Sequence, residues 1–336
     1  MSIDVRVATE DDLERWNGYV ERSPQGTLCH EYEALEVQAE HAGATLHPLI
    51  GFKGQEAVGV FPVFELKKGL VTTVFSPPPH LRVPYLGPAF VNVGKLKQRK
   101  RERRQQRFLE SCFEWIRSEL APKYTHFRTA TAFADSRPFT WNEYDVTPEH
   151  TYVVDLTPSE DDLLLSFSSD ARSNVRNTDE DAYEIDVGGD EESRRIVEQV
   201  RRRYESQGVG FEVNDPFVLD LADRSVNGSV RPYTLRVDGE FVGGILTLEH
   251  GNEIGRWLGG VRTDTDHDLP TNDLLDWAVM QDARDRGVET YDLVGAANPR
   301  INEYKAKFNP SLRTYYTIEG GSWGMQRIAA LYNSIK

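Results

Sequence analysis

The sequence predicts an α/β protein of two tandem lobes, each a mixed, mainly antiparallel sheet flanked by helices. Three observations predict it. The 336 residues exceed the usual size of one core, and a hydrophobic fraction of 39% is enough to fill two. An internal repeat lays His47-Pro-Leu-Ile-Gly-Phe-Lys-Gly-Gln-Glu-Ala-Val-Gly-Val over Arg231-Pro-Tyr-Thr-Leu-Arg-Val-Asp-Gly-Glu-Phe-Val-Gly-Gly, so that Pro48 and Pro232, Glu56 and Glu240, Gly59 and Gly243 coincide at one constant offset. The same order of elements then follows both copies.

Each copy reads as a β-hairpin, because alternating apolar residues flank a turn, Lys53-Gly54 in one and Asp238-Gly239 in the other. In the first lobe, helices are expected over 10–22 and 31–41 before the hairpin. A third strand over 70–75, a helix over 98–120 and a strand over 124–129 come after it. A strand over 151–156 opens the second lobe, followed by helices over 160–180, 191–206 and 216–226. The second hairpin leads to a strand over 253–258, a helix over 271–286, a strand over 290–294 and a last helix over 324–335. The boundary is placed at Thr147-Pro148, giving lobes 1–148 and 149–336, and Pro158 suits the first turn of a helix.

Composition narrows the function classes. No apolar run approaches the ~20 residues of a membrane span, and Met1-Ser-Ile-Asp-Val-Arg lacks the layout of a signal peptide, so a cytoplasmic protein without stable membrane insertion is expected. Two cysteines exclude a disulfide framework and a cysteine metal site, and Cys112 lies in an apolar helical pattern with Phe108, Leu109, Phe113 and Ile116. The formal charge of -15, built with 29 Arg against 10 Lys and acidic clusters, resembles that of a salt-adapted protein. No Walker or His-Glu-x-x-His pattern is present, and Asp264-Thr-Asp-His-Asp268 lacks the Gly and terminal Glu of a calcium loop, so it reads as an acidic turn and no metal site is expected.

The discriminating stretch is Thr290-Tyr-Asp-Leu-Val-Gly-Ala-Ala-Asn-Pro-Arg-Ile-Asn-Glu-Tyr-Lys-Ala-Lys-Phe-Asn-Pro. It resembles the ending of the FemAB-like acyltransferases: a strand, Asp, Gly, a short loop, an aromatic-Lys pair, two residues and Phe-Gly. These include peptidoglycan interpeptide-bridge aminoacyltransferases and BioF2-like acetyltransferase domains. Tyr152-Val-Val-Asp-Leu before a helix carrying Arg172 and Arg176, and Leu86-Gly87-Pro88, agree with it. The resemblance implies a GNAT fold in tandem. The family's Gly after the motif Phe is here Asn309, which also tolerates a left-handed turn. The Arg/Gln-x-x-Gly-x-Gly/Ala loop with which ordinary GNAT enzymes hold the coenzyme A pyrophosphate is absent from both lobes.

Acyl transfer to an amine needs a deprotonated nucleophile and a stabilised oxyanion. Lys305 is the candidate for stabilising the oxyanion, because no lysine occurs between Lys123 and Lys305 and it reappears inside the family motif beside Tyr304. Lys307 reads as a solvated cation at a helix end. Asp292, at a strand end, either accepts the amine proton or caps the following turn. Gly295 allows close backbone approach or a sharp turn, and Asn298 offers an amide to a carbonyl or holds the loop. Arg172 and Arg176, four apart on one helix face, either grip a phosphate or carboxylate or pair with Asp170, Asp179 or Glu180. Of Arg256 and Trp257, adjacent on a strand, only one can face the substrate, and Trp257 is counted with the binding residues.

The segment Lys95-Leu-Lys-Gln-Arg-Lys-Arg-Glu-Arg-Arg-Gln-Gln-Arg107 holds eight cations and one anion in an acidic chain. It is suited to tRNA or an anionic membrane surface, or it is a solvated helix start. The resemblance implies an N-acyltransferase acting on an amine of a cell-envelope glycan precursor, amino sugar or peptide. The donor would be acetyl- or acyl-coenzyme A or aminoacyl-tRNA, with no permanent cofactor. The alternative is a non-catalytic binding module for an anionic glycan lipid or RNA.

Overall fold

A computed structural model describes residues 3–260 and 269–321. The acidic turn at Asp264–Asp268 and the helix expected over 324–335 lie outside the described residues. The chain divides into two compact units: one runs to Glu149 and takes in the described residues from Thr314, and the other is His150–Arg313. Among the described residues, no helix is long and apolar enough to cross a membrane.

The first unit opens with β1 (Asp4–Val7), α1 (Glu10–Leu13), α2 (Trp16–Glu21) and α3 (Tyr32–Ala42). The hairpin follows as β2 (Thr45–Lys53) and β3 (Glu56–Lys68), then β4 (Val71–Ser76), the short β5 (Ala89–Phe90) on β3, α4 (Gln98–Trp115), β6 (Tyr124–Arg128) and α5 (Arg137–Trp141). Strand β7 (Asp145–Asp155) starts in this unit and ends in the second. The helix expected over 10–22 is two short helices.

In the second unit α6 (Glu160–Ser166), α7 (Ser169–Asn177), β8 (Glu184–Val187), α8 (Asp190–Ser206) and α9 (Asp215–Arg224) precede the second hairpin, β9 (Ser229–Val237) with β10 (Glu240–His250). Then come β11 (Glu253–Gly259), α10 (Thr271–Asp285), β12 (Thr290–Asp292), α11 (Pro299–Lys305) and β13 (Ser311–Gly321), which returns the chain to the first unit.

The repeat is realised down to its register. In the first hairpin Ala57 pairs with Phe52 and Gly59 with Gly51, so Val58 is the extra residue of a bulge. In the second, Phe241 pairs with Arg236 and Gly243 with Leu235, which leaves Val242 in the matching place. Each unit also contains one parallel pair whose crossover is a helix: β4 with β6 across α4, and β11 with β12 across α10. The remaining neighbours within each unit are antiparallel: β1-β2-β3-β4 and β6-β13 in the first, β7-β12 and β11-β10-β9-β8 in the second.

Each sheet buries a helix. Phe108 of α4 lies over two glycines, and a Cβ on Gly51 would stand 2.4 Å from its ring. Around it the core gathers Phe61, Phe113, Phe127 and Phe139, with Cys112 fully buried as expected. In the second unit, Leu274, Leu275, Trp277 and Met280 of α10 pack with Tyr291, Leu293 and Phe308. The helix expected over 160–180 is broken at Phe167, whose extended backbone lets its ring meet Trp277 and Phe308 edge-on. The aromatic contacts outweigh two more helical residues.

Candidate active site

Strand β12 ends at Asp292, and the chain then turns through two left-handed residues, Val294 at φ 48° and Gly295 at φ 83°. Glycine takes such angles freely, whereas a β-branched valine there is strained. The surroundings hold it. Asp292 Oδ1 accepts from the Val294 N–H at 2.7 Å and from the Thr151 hydroxyl at 2.6 Å, and the same hydroxyl accepts from the Gly295 N–H at 2.8 Å. The N–H side of the turn is thus tied to β7.

The carbonyl side is tied to Lys305. Asn298 caps α11 by accepting from the Arg300 N–H at 3.0 Å, and Pro299 occupies the first turn. The helix carries Lys305 back to the turn, where its Nζ donates to the Val294 carbonyl at 2.8 Å and the Gly295 carbonyl at 2.7 Å. An ammonium has three N–H donors, so the turn uses two. Burial, then the nearby Arg256, lower the Lys305 pKa from lysine's ordinary 10.5 to about 8, against the pull of Asp292 and Asp276. A Cβ on Gly295 would meet nothing within 4 Å, so space lies open at the turn.

Behind Lys305 stands a fully buried carboxylate, Asp276 of α10. Its Oδ1 accepts from the Tyr291 hydroxyl at 2.6 Å and from Arg256 Nε at 3.0 Å, and its Oδ2 accepts from the Tyr304 hydroxyl at 2.6 Å. Three donors satisfy a charge that would otherwise be costly to bury. Burial and the Asp276 charge push both phenols well above their ordinary pKa, so they remain donors.

Lys305, Asp292 and Gly295 therefore meet at one turn, with Asn298 and Tyr304 supporting the helix that brings the lysine in. The Asp292 carboxylate caps the turn. The other sequence candidates stand elsewhere in the second unit. Trp257 packs edge-on against Phe217 of α9, with 5.8 Å between ring centroids, while the preceding Arg256 points to α10. Arg172 donates to the Leu165 carbonyl at 3.0 Å and Arg176 is exposed. Lys307 is corrected: it is no solvated cation but pairs with Asp170 at 2.9 Å, because α7 starts beside the Phe308 turn, where the Ser168 N–H bonds the Lys307 carbonyl. Asn309 adopts the left-handed conformation, at φ 51°.

Sequence reasoning missed Thr151, Asp276 and Tyr291, and it weighed Arg256 but counted Trp257 with the binding residues instead. The one signal for them was Asp276 itself, an acid inside the apolar helical run Leu274-Leu275-Asp276-Trp277-Ala278-Val279-Met280. Among the described residues, no group of His, Cys, Asp or Glu could hold a metal ion.

Residues 166–306 match the family model described as "Acetyltransferase (GNAT) domain". The crystal structure of FemX is similar over 94% of this chain and 96% of its own, with a TM-score of 0.71 at 12% identity. L-PGS from Bacillus licheniformis is similar over 96% of both chains, with a TM-score of 0.54 at 13% identity. A tandem GNAT protein from the clavulanic acid biosynthesis pathway is similar over 96% of this chain and all of its own, with a TM-score of 0.52 at 11% identity. No curated protein sequence matches the chain. At these identities the likenesses speak for the fold. The chain has a GNAT-like α/β fold similar to those of FemX and of the tandem GNAT protein, and the matched residues 166–306 lie within its second unit.

Proposed function

We propose that this chain is an N-acyltransferase that moves an acyl or aminoacyl group to an amine of a cell-envelope glycan precursor, an amino sugar or a peptide. The observation that carries the reading is Lys305, a buried ammonium with a pKa lowered to about 8, fixed by two carbonyls at the end of the strand that bears Asp292. The amine nitrogen attacks the donor carbonyl, a C–N bond forms, and the C–S or C–O bond to the leaving thiol or hydroxyl breaks. The amine's proton passes to the leaving group or to water. Negative charge develops on the carbonyl oxygen in between, and a preorganised cation with a donor still to give stabilises it. The donor is an acyl-coenzyme A or an aminoacyl-tRNA. The catalytic assignment rests on Lys305, with Asp292 as the positioning residue that caps its turn, and with Tyr304, Gly295, Asn298, Arg172, Arg176 and Trp257 as binding or supporting residues.

The test is acyl transfer by the full chain with acetyl-coenzyme A and with aminoacyl-tRNA, against a panel of amino sugars and peptides. Lys305→Met should lower kcat by on the order of a hundredfold or more while the acceptor KM changes little. Unchanged turnover removes Lys305 from the mechanism. Binding of a donor or glycan without transfer in the unmodified protein supports the binding-module alternative. Thermal shifts with the two donors separate them, since the one bound by the folded state raises Tm.

A further inference from the structure

Helix α4 carries charges in the order that weakens a helix. Amides exposed at a helix N-terminus favour acids there, and α1, α6 and α8 obey with Glu10-Asp11-Asp12, Glu160-Asp161-Asp162 and Asp190-Glu191-Glu192. In α4 the order is inverted. It follows Lys97, has no acid in its first turn and no base in its last, and places Arg99, Lys100 and Arg101 at its start. Arg104 bonds Glu56 at 2.8 Å, and the one acid of the segment, Glu102, is held by Arg137 at 3.2 Å. The first buried residue of the helix is Phe108, so its first ten residues, about 15 Å of helix, lie ahead of the core anchor. A breach of a local rule by the order of the charges points to a contact made elsewhere.

The geometry of the cations says what kind of contact. At about 100° per residue, Arg99, Lys100, Arg103 and Arg107 fall within an arc of roughly 100° and form one straight stripe. All four are exposed, as are Lys95 and Lys97 just before them. Beside the stripe stands Trp141, 56% exposed, with the Arg137 guanidinium 5.5 Å from its ring and that same Arg137 bonded to Glu102.

We propose that this stripe, with Trp141 at its edge, docks the protein on an anionic phospholipid bilayer. A bilayer is flat and meets one face of a helix, as the stripe does. Guanidinium groups grip phosphates through paired hydrogen bonds, and tryptophan favours the headgroup level. The net charge of -15 repels the rest of the surface from the same membrane, which fixes the orientation. Single-stranded RNA would call for aromatic rings interleaved with the cations, and the segment has none.

The experiment is sedimentation of the full chain with vesicles of equimolar phosphatidylglycerol and phosphatidylcholine, against phosphatidylcholine alone, at about 0.1 M salt. Binding is expected only to the anionic vesicles. Each cation near the surface is worth about fivefold in partitioning, so the Arg99→Gln/Lys100→Gln/Arg103→Gln/Arg107→Gln variant should lose on the order of a hundredfold or more. Trp141→Ala should lose severalfold. The quadruple variant should melt no lower than the parent, because it removes cations from the wrong end of a helix. Equal binding to both vesicles, or undiminished binding by the quadruple variant, overturns the proposal. So does failure to bind anionic vesicles, and retention of a duplex or transfer RNA in that case assigns the stripe to nucleic acid instead.

Discussion

Lys305 holds the carbonyl of Val294, a β-branched residue at φ 48°, with a 2.8 Å hydrogen bond, and holds that of Gly295 at 2.7 Å. The candidate catalytic cation is therefore also the clamp on a strained turn.

The two roles separate by pH. With a pKa of about 8, Lys305 is protonated at neutral pH and loses its proton as the pH rises. If the charged form stabilises the oxyanion, kcat falls through an alkaline limb near pH 8, and Lys305→Arg, which stays charged, moves that limb upward. A pH–rate profile that lacks the limb in the unmodified protein removes the electrostatic role. Stability follows the opposite sign. Between about pH 8 and lysine's ordinary 10.5 the unfolded chain holds a proton that the folded chain has released, so this group's contribution to stability increases with pH across that window. Urea titrations of the parent and Lys305→Met at several pH values should show the difference.

The valine strain is measurable. Asparagine tolerates left-handed backbone, so Val294→Asn should raise stability by about 1 kcal/mol. Should it lower the urea midpoint, the packing of the Val294 side chain outweighs the strain.

Asp276 is fully buried and Arg256 nearly so. Asp276→Ala strands a buried guanidinium and two phenols, and is expected to lower stability by about 3 kcal/mol or more. The double variant Asp276→Leu/Arg256→Met should recover most of that loss in the same denaturation assay. If it does not, the two tyrosine hydrogen bonds account for the network's stability and the ion pair does not.

Thr151→Val keeps the shape and removes the hydroxyl that joins Asp292 to the Gly295 N–H. The turn then loses a donor and an acceptor at once, with about 2 kcal/mol of stability, and acyl transfer should drop with it. A stable protein with reduced kcat would show that positioning of the turn limits the reaction.

Gly51→Ala forces a methyl group against Phe108 and should cost about 2 kcal/mol. Phe108→Leu in the same chain should relieve part of it, which a double-mutant cycle reads directly.

How much was legible in the sequence follows from the range of the forces involved. The two hairpins and their turns are set by alternation and turn residues close together in the chain, so the repeat showed them, and its two copies bulge at matching places. The lysine-free stretch before Lys305, and the motif around it, singled out that residue without any coordinates. What tertiary structure alone decided is pairing between distant segments. Phe167 leaves its helix for Trp277 and Phe308. Lys307 finds Asp170. Arg256, and not Trp257, faces the network, because the pleat sends neighbours to opposite sides and only the packed helices say which side holds Asp276. The depressed pKa of Lys305 belongs to the same class. Burial and the Arg256 charge produce it, and neither exists until residues 151, 256, 276, 292 and 305 are brought to one place.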